Sequence, residues 1–136
     1  MSLGKKKLLI FIISYKASFR VKEVFDKIPF KRLKNFRINV LISDDCSLDD
    51  TIDYAKKIKK KDKRVFLNEN KINLGYGAHI KKCLNFALKK KYSYAVMIHG
   101  DGQFNPKYIP DLLLKLEDSK VSAATGSRIL SGINTV

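Results

Sequence analysis

Three short stretches hold the residues whose types could do chemistry. In His99-Gly100-Asp101-Gly102-Gln103 a carboxylate and an amide lie two positions apart beside an imidazole. Asp101 and Gln103 offer hard oxygen atoms of the kind Mg2+ or Mn2+ prefers, and such an ion commonly binds substrate phosphates as well. His99 is read as a phosphate donor or a hydrogen-bonded strand-end residue rather than a ligand. In Asp44-Asp45 a carboxylate can accept hydrogen bonds from a base N–H or from ribose hydroxyls. Asn73-Leu74-Gly75-Tyr76-Gly77 precedes a helix carrying Lys81. Its glycines let backbone amides approach a phosphate, and a helix start favours an anion. This spacing is neither the Gly-x-x-x-x-Gly-Lys phosphate loop nor the full dinucleotide fingerprint. Each stretch also has a plainer reading. Asp44, Asp45 and Ser47 can cap a loop and helix, the glycines can form an ordinary turn, and Asp101 can be a turn residue. His79, at a helix start, is read as structural.

These stretches are positioned by apolar runs. Residues 8–14 predict a first strand, buried on both faces because the run is continuous. Ser14-Tyr15-Lys16 turns into a helix whose inner face is Val21, Val24, Phe25 and Ile28, and Pro29 stops it. Residues 37–43 predict a second strand that ends at Asp44. Asp49 or Asp50 can start the next helix, with Ile52, Ala55 and Ile58 inward. Residues 64–67 predict a third strand and residues 68–77 a loop. Ile80, Leu84, Ala87 and Leu88 then recur at helical spacing. Residues 93–98 predict a fourth strand ending at the His99 stretch. Pro106 suits the first turn of a helix with Ile109, Leu112, Leu113 and Leu116 inward. Residues 121–125 predict a fifth strand before Gly126-Ser127-Arg128. Strands alternating with helices imply a mostly parallel sheet with helices on both faces. Ligands of such sheets bind outside the carboxyl ends of the strands.

The chain has 136 residues, 45% of them hydrophobic, so one domain over residues 1–136 can bury a real core. Met1-Ser2-Leu3 is set aside as an expression scar. The formal charge of +15 suits nucleic acid, an anionic membrane surface or a phosphate-bearing ligand. Most of that charge is lysine spread over helices and turns, without an arginine-rich arm or aromatic–basic alternation, which argues against sequence-specific DNA reading. Cys46 and Cys83 lie too far apart for metal-ligand spacing and read as reduced thiols of a cytosolic domain. The apolar run after Lys5-Lys6-Lys7 is too short for a signal peptide, and no segment approaches the ~18 apolar residues of a membrane span.

Taken in order, the motifs resemble one family. Asp-Asp-x-Ser-x-Asp-x-Thr (residues 44–51) is followed by Asn-x-Gly-x-Gly-x-x-x-Lys (residues 73–81), Gly-Asp-Gly-Gln (residues 100–103) and Gly-Ser-Arg (residues 126–128). This set resembles glycosyltransferase family 2, and within it the dolichyl-phosphate-mannose-synthase-like members. The resemblance covers nearly the whole chain. It implies a three-layer α/β/α, Rossmann-like GT-A fold. It also implies inverting, metal-assisted transfer of a sugar from a UDP- or GDP-linked nucleotide-diphospho-sugar to a polyprenyl-phosphate or saccharide acceptor. Ser14 and Tyr15 would flank the nucleotide. Asp44 or Asp45, the latter favoured, would bind the base. Gly75 and Lys81 would line the donor pocket with Gly100. Asp101 would hold Mg2+ or Mn2+ across the two phosphates with Gln103 assisting, and Arg128 would lie near the donor or acceptor edge. The implied setting is cytoplasmic, peripheral on an anionic membrane surface, and compatible with a homodimer; nucleic acid is disfavoured.

Two departures stand out. The family's metal motif is often Asp-x-Asp, and His99 takes the first acidic position, removing one negative charge. The family's inverting base and acceptor segment normally lie later than Val136, and no base candidate follows Gln103. The chain is therefore expected to be the donor-binding half, incomplete at its C-terminus, with weak or no transfer of its own. Two rivals stay open. A nucleotidyltransferase would want a glycine-rich basic loop straight after the first strand, and Ser14-Tyr15-Lys16-Ala17 has no glycine. A non-enzymatic basic domain would bind nucleic acid or anionic membrane through its charge alone.

Overall fold

β1 (Lys6–Ser14) is the middle of the molecule because its side chains from Leu8 to Ile13 are all apolar and all buried. A strand with no polar face needs cover on both sides. The computed structural model, which describes residues 4–127, supplies that cover in three layers. β1 pairs in parallel with β2 (Phe36–Asp44) on one side and with β4 (Tyr94–His99) on the other. β3 (Val65–Glu69) adds to the far side of β2, so the sheet order is β3-β2-β1-β4, parallel throughout.

Alternation along β1 divides the core. Leu8, Ile10 and Ile12 point to a layer that includes Val21 and Val24 of α1 (Arg20–Asp26), Ala55 and Ile58 of α2 (Thr51–Lys61), and Ile109 and Leu113 of α4 (Ile109–Leu116). Leu9, Phe11 and Ile13 point the other way, onto Cys83 and Ala87 of α3 (Tyr76–Lys89). Burying each such aliphatic side chain contributes about 1.5–3 kcal/mol. The first three strands step outward from β1, with α1 and α2 on one face; α3 then crosses the opposite face and brings β4 back beside β1. Right-handed crossovers dictate this change of face when the strand order reverses. The reversal opens a crevice between the carboxyl ends of β1 and β4, where open α/β sheets bind ligands.

Two expectations are corrected. Residues 121–125 form no strand: they are irregular, and none is buried. Ser122, Ala123 and Ala124 carry too little apolar surface to hold a place beside β4. Leu84 and Leu88 do not face inward. They are 41% and 75% exposed, and the buried stripe of α3 is His79, Cys83 and Ala87. The face of α3 that packs on the sheet carries Cys83 and Ala87, small enough for the helix to lie close to β1, and His79, whose ring bonds to Ser43 of β2.

Candidate functional site

A cleft of about 300 Å3 lies at the carboxyl edge of the sheet. Ile13, Ser14 and Tyr15 line it from β1, Asp45 from β2, and Asn73, Gly75, Tyr76 and His79 from the start of α3 and the loop before it; His99, Gly100 and Asp101 line it from β4. The ladder continues past the strand ends and fixes this rim. The Asp45 amide donates to Ser14 O at 2.9 Å, and the Gly100 amide donates to Ile13 O at 2.8 Å. Gly100 sits so close to β1 that an added Cβ would lie 2.4 Å from Ser14 Oγ and 3.3 Å from Ile13 O. Glycine is required there by contact, since any side chain would meet the Ser14 hydroxyl.

Asp45 is 4% exposed and bonded to the loop across the cleft. Its Oδ1 accepts from Asn70 Nδ2 at 2.9 Å and the Leu74 amide at 2.8 Å, and Oδ2 accepts from the Gly75 amide at 3.0 Å. Its carbonyl oxygen accepts from Asn73 Nδ2 at 3.1 Å. Burial pushes the carboxyl upward, but the Leu74 amide, Asn70, nearby His79 and the Gly75 amide together outweigh it and hold Asp45 below the usual carboxylate value. An ionised carboxylate has about four acceptor positions. Three are taken, all by groups that fix the entry into α3. Gly75, at φ +81°, makes the turn there in a region that favours glycine.

Behind this pair lies a buried polar chain. His79 Nε2 is 2.7 Å from Ser43 Oγ, and Asn68 Nδ2 donates to Ser43 Oγ and to Asn70 Oδ1. Lys82 Nζ donates to Asn70 Oδ1 at 2.6 Å. Burial pulls the His79 pKa below its ordinary value despite the attraction of Asp45 and Asp44, and Lys82 pulls it lower. The imidazole is therefore neutral at neutral pH, a hydrogen-bonded wall of the cleft.

On the opposite wall, His99 Nε2 lies 3.2 Å from Tyr76 Oη, and its ring packs edge-on against Tyr76 and Phe104 at centroid distances of 5.7 and 5.0 Å. Asp101 is half-buried, and its Oδ1 accepts from the Gln103 amide at 3.0 Å. Ser14 Oγ is buried without a hydrogen-bond partner among the described residues. A hydroxyl in that state costs about 1–3 kcal/mol unless something satisfies it.

The cleft thus gathers Ser14, Tyr15, Asp45, Gly75, Gly100 and Asp101. Three expected residues do not line it. Asp44 is buried and turned into its own loop, where Oδ2 accepts from the Ser47 amide at 3.0 Å and Oδ1 from the Ser47 hydroxyl. Lys81 is exposed on α3, and it is Lys82 that reaches the polar chain. Gln103 is exposed, and its backbone amide donates to Asp101 Oδ1. Arg128 lies outside the described residues. Sequence reasoning does not single out Asn70, Tyr76, His79 and Lys82 for the site; Tyr76 lies inside the Asn73–Gly77 stretch and Lys82 beside Lys81, and the helix phase expected from Ile80, Leu84, Ala87 and Leu88 favours Lys81 over Lys82.

No group of three or more His, Cys, Asp or Glu side chains gathers as a metal cage among the described residues. Asp101 still suits a hard divalent ion. One carboxylate facing a cleft, with an oxygen not used by the turn, fits an ion that takes its other ligands from phosphate and water.

This is a doubly wound parallel sheet with a ligand crevice at its switch point, and its architecture is the GT-A type. The fold is similar to that of the mannosyltransferase PcManGT from Pyrobaculum calidifontis, solved in complex with GDP-Man and Mn2+, with a TM-score of 0.72 at 16% identity, over 95% of this chain and 38% of that one. It is also similar to residues 1–349 of S. aureus TarS in complex with UDP-GlcNAc, with a TM-score of 0.61 at 18% identity, over 89% and 37% of the two chains. The glycosyl transferase family 2 profile matches residues 10–136, and the chain belongs to that family. A relative described as uncharacterized protein MJ0544, from Methanocaldococcus jannaschii, is 40% identical over 100 residues, or 72% of this chain and 44% of its own length. The chain therefore spans less than half the length of each of these proteins.

Proposed function

We propose that the cleft binds the nucleotide-diphosphate part of an activated sugar, and that the protein takes part in transferring that sugar to a polyprenyl-phosphate or saccharide acceptor with inversion. The observation that carries this reading is that Asp45 and Asp101, from strands on opposite sides of β1, face one cleft at the switch point of the sheet. Family membership supports it, as do the GDP-Man and UDP-GlcNAc complexes of proteins with the same fold.

Asp45 would receive the base. Its one remaining acceptor position suits an edge N–H, and Tyr15, 51% exposed on the same rim, offers a ring face for stacking. Ser14 Oγ is placed to bond to a ribose or phosphate oxygen. His99 and Tyr76 share one of their two hydrogens in their mutual contact, and the other is available to donate toward the diphosphate. Asp101 would hold Mg2+ or Mn2+; when bound, such an ion neutralises charge that develops on a diphosphate leaving group. Asp45 is a poor general base, because its hydrogen bonds favour the ionised form and take three of its four acceptor positions. A lipid-phosphate acceptor would need no base, whereas a hydroxyl acceptor would.

Calorimetry with UDP and with GDP, each with and without Mn2+, tests the reading. The expected result is ion-dependent binding of at least one nucleotide, weakened tenfold or more by Asp45→Ala and by Asp101→Ala. Binding of neither nucleotide, or binding indifferent to both substitutions, would defeat it.

A further inference from the structure

Asp45 is not a free carboxylate, and what holds it limits which base it reads. Its Oδ1 accepts from Asn70 Nδ2 at 2.9 Å and from the Leu74 amide at 2.8 Å, so both acceptor positions of that oxygen are filled. Oδ2 accepts from the Gly75 amide at 3.0 Å and keeps one position. Two of these three donors are backbone groups. The third is a side-chain amide, and its orientation is fixed from behind. Asn70 Oδ1 accepts from Lys82 Nζ at 2.6 Å and from Asn68 Nδ2 at 3.0 Å. A lysine ammonium has donors only, so it holds the Asn70 oxygen toward α3 and leaves the Asn70 nitrogen facing Asp45. Asn70 is itself 4% exposed, and its backbone amide donates to Asp44 O at 2.9 Å. Asp44 is no substitute acceptor, because its two oxygens are turned onto Ser47.

Bases differ in how many N–H groups they present side by side. Uracil offers one, N3–H, between two carbonyl oxygens. Guanine offers N1–H and N2–H next to each other, a pair that matches both oxygens of a free carboxylate. We infer that the cleft prefers uridine diphosphate to guanosine diphosphate, and that Asn70 is the positioning residue that sets this preference by capping Asp45 Oδ1. The inference rests on the nucleotide reading and adds the base to it. Uracil N3–H takes the open position on Oδ2. Asn73 Nδ2 spends one hydrogen on Asp45 O and has a second to give to a flanking uracil carbonyl. With guanine, whichever of N1–H and N2–H takes Oδ2, the other meets Oδ1, where two donors already stand. Leaving one polar group of the wrong ligand unmatched is a common source of specificity. Against a carboxylate this buried it lowers affinity about tenfold or more.

Calorimetry of the whole chain with UDP, GDP and inosine diphosphate, each with Mn2+, tests it. Inosine diphosphate keeps the purine ring and N1–H of guanine but lacks the 2-amino group. The expected result is UDP bound about tenfold or more tightly than GDP, and inosine diphosphate bound at least as tightly as GDP. Asn70→Ala withdraws one donor from Oδ1 and narrows the ratio of UDP to GDP affinity by about threefold or more. That ratio is the readout because a general loosening of the loop weakens both nucleotides together and leaves it unmoved. GDP bound as tightly as UDP, inosine diphosphate bound more weakly than GDP, or an unchanged ratio in Asn70→Ala that keeps its circular dichroism spectrum would each overturn the inference and leave the nucleotide reading standing. Binding of none of the three nucleotides would overturn both. If Asn70→Ala does not fold, the three nucleotides on the native chain still decide the preference.

Discussion

The Gly75 amide donates to the Asp45 carboxylate at 3.0 Å, joining two residues thirty positions apart in the chain. With the Leu74 amide and Asn70 on its other oxygen, Asp45 acts as the anion at the start of α3 and welds that helix to the end of β2. The residue expected to read the base is thus also the residue that builds the wall beside it. Four consequences can be measured.

Asp45→Asn replaces one oxygen by a donor facing N–H groups. Hydrogen bonds to a charged acceptor are worth about 1.5–3 kcal/mol, and an unpaired buried donor adds cost. The variant should lose roughly 2–4 kcal/mol by urea denaturation, as an estimate from those contributions. A loss under about 0.5 kcal/mol would mean the loop holds itself.

Stability should fall on acidification in two steps. The His79 pKa is lowered in the folded state, so its contribution is complete above the ordinary histidine value and declines as pH drops below about 6.5. The Asp45 pKa is also lowered, so its contribution is complete above the ordinary aspartate value and is lost as pH falls below about 4. Thermal unfolding at pH 3–8 should show His79→Gln flattening only the upper step and Asp45→Asn only the lower. Unchanged profiles in both variants would contradict these shifts.

Gly100→Ala places a methyl group against Ser14 Oγ. Overpacking of this kind costs about 1–3 kcal/mol. Adding Ser14→Ala removes the nearest atom and should restore part of the loss, so the two changes combine non-additively in a double-mutant cycle. Simple additivity would show that the rim relaxes freely.

Asp101→Asn keeps the turn acceptor for the Gln103 amide while removing the charge. Nucleotide affinity measured with Mn2+ should drop about tenfold or more, whereas affinity without the ion should change little. An equal drop in both conditions would assign Asp101 to direct contact with the nucleotide.

Much of this was legible in the sequence because apolar runs and polar ends are local signals. Residues 8–13 mark a strand buried on both faces by themselves, and the carboxylates after β2 and β4 mark the edge where the sheet opens. What failed was phase and partner. The α3 pattern offers Leu84 and Leu88, but the buried stripe is His79, Cys83 and Ala87, with His79 bonded to Ser43, and Lys82, exposed like Lys81, is the lysine that reaches Asn70. Asp44 and Asp45 are identical residues one position apart, and only the alternation of β2 decides which faces the cleft. Residues 121–125 carry strand-forming Val and Thr, but too little apolar area to be held in place.

The most direct measurement is a 15N NMR titration of the chain with UDP and with GDP in the presence of Mg2+. If the cleft is the nucleotide site, the saturable shifts fall on the amides of Ser14, Tyr15, Asp45, Gly75, Gly100 and Asp101, and the lysines at 59–61 and 89–91 stay unmoved. Shifts confined to those lysines, or a spectrum unchanged at millimolar nucleotide, would contradict it.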